Sequence, residues 1–140
     1  MICTFFGHRD ASEKVVFALK EVIESLIKKG IKSFYVGNNG NYDLLVQSVL
    51  SDIKKANIDI DFKIVLSYLG EKAITDNQDK TIFPEGLENV PRRFAISKRN
   101  DWLISNANVV VVYCTNTFSN SYKLAQKATK KNLNIINLKV

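Results

Sequence analysis

Apolar residues along this chain alternate between two rhythms, a short β-prone run and then a longer stretch with apolar positions at helical spacing. The first run, Ile2-Cys3-Thr4-Phe5-Phe6, stops at Gly7-His8-Arg9-Asp10. Residues 12–29 then place Val15, Leu19, Val22, Ile23, Leu26 and Ile27 on one face, which predicts an amphipathic helix. Asp10-Ala11-Ser12-Glu13 fits a capping box with Asp10 or Ser12 as N-cap, and Gly30 is a natural terminator. Residues 31–36 read as a second strand running into Gly37-Asn38-Asn39-Gly40. Asn-Gly can close a hairpin, but Leu44, Leu45, Val46, Val49, Leu50 and Ile53 recur as a helix, so a strand-to-helix turn is expected.

Residues 61–67 form the third expected strand. Residues 68–91 show no period and carry Gly70, Pro84, Gly86 and Pro91, so they are expected as a long loop or lid. Residues 92–107 read as a helix, and residues 108–113, with four consecutive valines, as a central strand buried on both faces. A polar loop follows, Ser119 or Ser121 caps a last helix, and residues 133–138 close as a fifth strand. No repeat or low-complexity tract interrupts the order.

Regular alternation of strand and helix predicts an α/β domain spanning residues 1–140, a Rossmann-like three-layer sandwich with a five-stranded parallel sheet and helices on both faces. The expected strand order is 3-2-1-4-5. It reverses between the first and fourth strands, so a crevice should open above their carboxyl ends. Three loops reach it: Gly7-His8-Arg9, Gly37-Asn38-Asn39-Gly40 and Cys114-Thr115-Asn116-Thr117.

Composition sharpens this picture in two places. The chain has 140 residues, 46% hydrophobic and 24% charged, which suits one globular domain with its own core. No apolar run approaches the ~20 residues of a membrane helix, and the start lacks the pattern of a signal peptide, so the cytoplasm is the expected compartment. Cys3 and Cys114 should lie roughly 10 Å apart along neighbouring strands, too far for a disulfide; two buried free thiols are expected. One histidine and two distant cysteines do not make a zinc site, and no cofactor is expected.

Net charge is +6, which raises the question of nucleic acid. The lysine pairs Lys28-Lys29, Lys54-Lys55 and Lys130-Lys131 all fall at helix C-termini, where cations complement the helix dipole. They should cluster at the edge away from the crevice, with no aromatic residues among them. All four arginines (Arg9, Arg92, Arg93 and Arg99) map instead to the first loop or the first half of the third helix. Arginine suits bidentate contact with phosphate or carboxylate. This segregation favours a compact anionic ligand over a long polyanion.

Phe5-Phe6-Gly7-His8-Arg9-Asp10, Ser33-Phe34-Tyr35-Val36 with Gly37–Gly40 and Asp43, Arg93-Phe94, Arg99-Asn100-Asp101-Trp102-Leu103-Ile104, the valine strand and Ile135-Ile136-Asn137 together resemble the SLOG superfamily, in order along nearly the whole chain. That superfamily includes YpsA-like domains, LOG-type nucleotide phosphoribohydrolases, the DNA-processing protein A family, and sensors of nucleotide or NAD-derived signals in prokaryotic conflict systems. The resemblance implies a Rossmann-like nucleotide site. The LOG enzymes carry a Pro-Gly-Gly-x-Gly-Thr turn with a catalytic Glu, which has no counterpart here. Where close relatives have a Gly-Gly-Ala turn before the last helix, this chain has Ser119-Asn120-Ser121.

The expected ligand-binding set is Gly7, His8, Arg9, Gly37, Asn38, Asn39, Gly40, Asp43, Arg93, Thr115, Ser119 and Ser121. Each has a structural alternative. The glycines and asparagines form turns whether or not a ligand approaches. Arg9 can pair with Asp10 or Asp43, and Asp43 is either a ribose acceptor or a helix N-terminal charge. Asn100, beside Ile96 and Leu103, reads as a buried hydrogen-bonding residue, and Trp102 as core. No carboxylate among Asp10, Asp43, Glu71, Glu85 and Glu88 has a convincing catalytic partner. The leading expectation is a binder that senses or sequesters a nucleotide- or NAD-derived molecule, such as a cyclic ADP-ribose-type signal. Acting without a fused effector, it would work through a partner, as a homo-oligomer, or by holding its ligand. The alternatives are a nucleotide N-glycosidic hydrolase using a lid carboxylate and, third, a nucleic-acid-associated protein using the lysine edge.

Overall fold

The computed structural model describes residues 1–56, 59–68 and 81–139. Strand β1 (Ile2–Gly7) leads to helix α1 (Val15–Lys28), β2 (Ser33–Val36) to α2 (Asn41–Lys55), and β3 (Asp61–Val65) follows. Then come β4 (Thr81–Ile82), a 3-10 turn (Leu87–Asn89), α3 (Arg92–Asn106), β5 (Val109–Tyr113), α4 (Asn120–Lys130) and β6 (Asn134–Asn137). The sheet runs β4-β3-β2-β1-β5-β6 and every pairing is parallel.

The sheet therefore has six strands, not the five expected. The extra one is β4, which pairs Ile64 with Thr81 and Val65 with Ile82 at the edge and lies within the expected loop. Two residues are too few to show a period of two, so sequence pattern could not reveal it. Residues 69–80 of the expected lid, with Glu71, Asp76 and Asp79, lie outside the described residues. Glu85 and Glu88 are exposed, and Glu88 accepts the Gly86 N–H at 3.1 Å.

The valine strand shows why both faces must be covered. Val109 and Val111 join Phe5, Leu19, Ile23, Tyr42 and Leu50 in one core, beneath α1 and α2. Val110 and Val112 join Phe6, Leu103, Ile104 and Ala128 in the other, beneath α3 and α4. Alternate side chains of a strand point to opposite faces, so a continuous apolar run fits only a doubly covered sheet.

One expected cap is absent. The N-cap of α1 is Lys14, with no side-chain cap, rather than Asp10 or Ser12. The chain first makes a turn closed by Ala11 N–H to His8 O and Val15 N–H to Ser12 O, which uses up the capping-box residues before the helix begins. Ser119 does cap α4, its hydroxyl accepting the Tyr122 N–H at 3.2 Å. Cys3 and Cys114 are both free, but Cys114 is only half-buried, because it sits one residue past the end of β5. Among the described residues, no helix is long and apolar enough to cross a membrane.

Candidate functional site

The order of the sheet reverses at β1 and β5, and a cavity of about 200 Å³ lies above their carboxyl ends. Gly7, His8 and Arg9 from the β1 loop line it, with Asn39 and Asp43 from the β2 side. The third helix contributes Ile96, Arg99 and Asn100, and the start of α4 contributes Ser119, Asn120 and Ser121. The structure thus brings together seven of the expected residues: Gly7, His8, Arg9, Asn39, Asp43, Ser119 and Ser121.

The remaining expected residues lie around this cavity. Gly37 and Asn38 are held from behind by Gln47, whose Nε2 donates to the Gly37 carbonyl at 3.0 Å and lies 3.4 Å from Asn38 Oδ1. Thr115 stands outside the cavity wall, bonded to His8. Arg93 lines an adjoining groove between α3 and α4 and lies over the Phe94 ring.

Several glycines turn out to have packing reasons. A Cβ on Gly7 would sit 2.4 Å from ring atoms of Tyr42, a fully buried side chain whose hydroxyl donates to the Val111 carbonyl. Gly40 has φ +90°, and a Cβ there would sit 2.9 Å from the Arg9 backbone. Asn41 N–H donates to Arg9 O at 2.8 Å, and the Asn41 side-chain amide donates to Ala11 O, so the β1 loop is tied to the start of α2. This tie sets where Arg9 emerges.

Sequence reasoning passed over the most buried charge in the cavity. Arg99 is 2% exposed; its Nη1 donates to the Val65 carbonyl at 2.9 Å and its Nε to Asn100 Oδ1 at 3.1 Å. Asp43, also buried, accepts the Asn39 N–H at 3.0 Å. A Cβ on Gly37 would lie 2.7 Å from Asp43 Oδ2 and 3.0 Å from Arg99 Nη1, so both charges crowd the same bare stretch of backbone. Each ionic group is met by protein dipoles, which is what burial of charge requires. The signal was present: Arg99 lies four residues after Ala95 and four before Leu103, on the buried face of α3. A charged residue in that position has to be bound by something.

His8 has a defined chemical role. Its Nε2 accepts the Thr115 N–H at 2.8 Å and lies 3.0 Å from Thr115 Oγ1. A ring nitrogen that accepts a backbone N–H carries no proton, so the neutral ring holds its proton on Nδ1. His8 is therefore a hydrogen-bond donor through Nδ1, and its Nε2 clasps the β1 loop to the β5 loop. The edge of the ring packs on Tyr113, with centroids 5.3 Å apart.

The loop before α4 is also fixed. Asn116 O accepts from Cys114 Sγ at 2.9 Å and from Ser119 Oγ at 3.2 Å, while Asn116 Oδ1 accepts the Phe118 N–H at 3.0 Å. The Ser119 hydroxyl is thus occupied by capping and by Asn116. Ser121, buried two residues further on, lines the cavity alongside Asn120. Cys3 is sealed in the sheet, and burial pushes its thiol pKa well up; it is inert as a nucleophile. Burial also pushes up the Tyr42 phenol, with Cys3 and Asp43 adding to the shift.

A parallel doubly wound sheet with a polar cavity at its switch point defines a Rossmann-like α/β domain. Among solved structures, the chain is similar to DNA processing protein A (DprA) from Streptococcus pneumoniae, with a TM-score of 0.71 and 14% sequence identity. That match covers 96% of this chain and 49% of the other, so this chain spans about half the length of the protein it resembles. No protein-family profile matches the chain, and no curated protein matches it in sequence. The likeness establishes a shared Rossmann-like fold.

Proposed function

We propose that this chain binds a nucleotide- or NAD-derived small molecule in the crevice between β1 and β5, and acts by sensing or sequestering it. A cyclic ADP-ribose-type signal belongs to that ligand class, and a homo-oligomer or a partner chain would transmit the bound state. The observation that carries the reading is the cavity itself: Arg9 and the N-terminus of α4 face it together, at the topological switch point. Backbone N–H groups at a helix start and a guanidinium are the groups that hold a phosphate. Ser121 and Asn120 add side-chain donors, and His8 Nδ1–H adds one on the β1 side. Asp43 and Arg99 hold the cavity's shape from below.

The test is a thermal-shift series with AMP, NAD, ADP-ribose and cyclic ADP-ribose, followed by mass spectrometry of the ligand released on denaturation. Binding gives a midpoint that climbs with ligand concentration, and the ligand comes back intact. A released base would instead favour the hydrolase reading. A second reading, association with nucleic acid, draws on the likeness to DprA and on the cations of the α3–α4 groove. It predicts oligonucleotide retention that falls steeply with salt and needs no small molecule.

A further inference from the structure

The cavity does not end at its walls. Arg9, Ile96, Asn100, Asn120 and Leu124 line both it and a groove of about 540 Å³ that runs on between α3 and α4. A cavity of about 200 Å³ is smaller than the roughly 300–1,000 Å³ of ordinary ligand pockets, and the groove brings the pair into that range. Facing side chains set the groove's charge. Lys123, Lys127 and Lys130 recur along one stripe of α4, and Arg93 faces them from the start of α3.

The charge along this groove is one-sided. The groove holds a single acid, Asp101, and Lys127 already pairs with it at 2.5 Å. Among the described residues, Arg9, Arg93 and Lys123 have no acidic partner within ion-pair distance. In addition, Arg93 is the second residue of α3, inside the first turn where the helix dipole disfavours a cation, and Lys123 is the fourth residue of α4. A groove lined by five cations and one acid, opening from a polar cavity, has a local field that draws an anion.

We infer that the α3–α4 groove is a second anionic subsite, so that the ligand is an extended nucleoside-diphosphate compound rather than a mononucleotide. One phosphate sits at Arg9 and the start of α4, and the distal part lies along the groove against Arg93 and Lys123. This rests on the small-molecule reading given above, and the experiment separates the two.

The experiment is isothermal titration of AMP and of ADP-ribose into wild type, Arg9→Ala, the double variant Arg93→Ala/Lys123→Ala, and the opposite-edge control Lys28→Ala/Lys55→Ala. The inference predicts ADP-ribose binding at least tenfold tighter than AMP. The groove variant should lose at least tenfold for ADP-ribose and under twofold for AMP, Arg9→Ala should weaken both, and the control should weaken neither. Equal affinities, or equal losses for both ligands in the groove variant, overturn the second subsite; if Arg9-dependent binding persists, the small-molecule reading survives. Failure of both ligands to bind, or groove-dependent binding of a short oligothymidylate alone, overturns both.

Discussion

The two edges of this sheet carry the same sign of charge by opposite rules. At the far edge, Lys28 ends α1 and Lys54 and Lys55 end α2, where a cation complements the helix dipole by about 0.3–1 kcal/mol. Lys54 also lies 5.9 Å over the Phe62 ring. At the crevice edge, Arg92 and Arg93 begin α3 and Lys123 lies near the beginning of α4, where the same dipole opposes them. Arg92 lies over the Tyr68 ring at 4.2 Å and Arg93 over the Phe94 ring at 4.8 Å, while Arg93 and Lys123 both line a groove whose one acid is already taken. Charge count alone therefore says little; the direction of the helix beneath each charge separates cations the dipole favours from cations it does not.

The largest expected effect concerns the floor of the crevice. Arg99→Met removes donors to Val65 O and Asn100 Oδ1 and strips a cation from beside buried Asp43, so it should cost about 3 kcal/mol in urea unfolding. A cost below ~1 kcal/mol would mean the floor is not built around this charge. Gly7→Ala drives a methyl into the Tyr42 ring, and a loss of about 2 kcal/mol is expected, read in the same assay.

Alkaline pH probes the same floor. Cys3 and Tyr42 both have folded pKa values raised above their ordinary 9.0 and 10.0. The unfolded chain loses these protons first, so native protein binds more protons and stability falls as pH rises. The fall should begin near pH 9 and approach about 1.4 kcal/mol per pH unit for each group, and Cys3→Ala should abolish the thiol share.

The smallest effect is the most diagnostic for the two edges. Arg93→Ala and Lys123→Ala should each raise stability by about 0.5 kcal/mol at low salt, and Lys28→Ala should lower it by a similar amount. Thermal unfolding at two ionic strengths checks the signs. Stabilisation by substitutions that also weaken binding would mark these cations as retained for a ligand. Identical signs at both edges would break the contrast.

Much of this was readable in the sequence, and the misses have physical causes. The strand–helix alternation gave the sheet order of five strands and the location of the crevice, because periodicity reports which face is buried. The β4 edge strand escaped because two residues carry no period. Arg99 groups by sequence with the other three arginines as a crevice cation and stands outside the expected ligand set; its position between Ala95 and Leu103 is what places it inside. Gly7 and Gly40 were legible as special but not why: the reasons are Tyr42 and Arg9, brought from 35 and 31 residues away along the chain.

The central claim is that the switch-point cavity binds a nucleotide-derived ligand, and a backbone-amide NMR titration with ADP-ribose tests it most directly. The account predicts saturable shifts concentrated at Gly7, His8, Arg9, Asn120 and Ser121, with the Lys28 and Lys55 edge unmoved. Shifts confined to that far edge, or none at millimolar ligand, would contradict it.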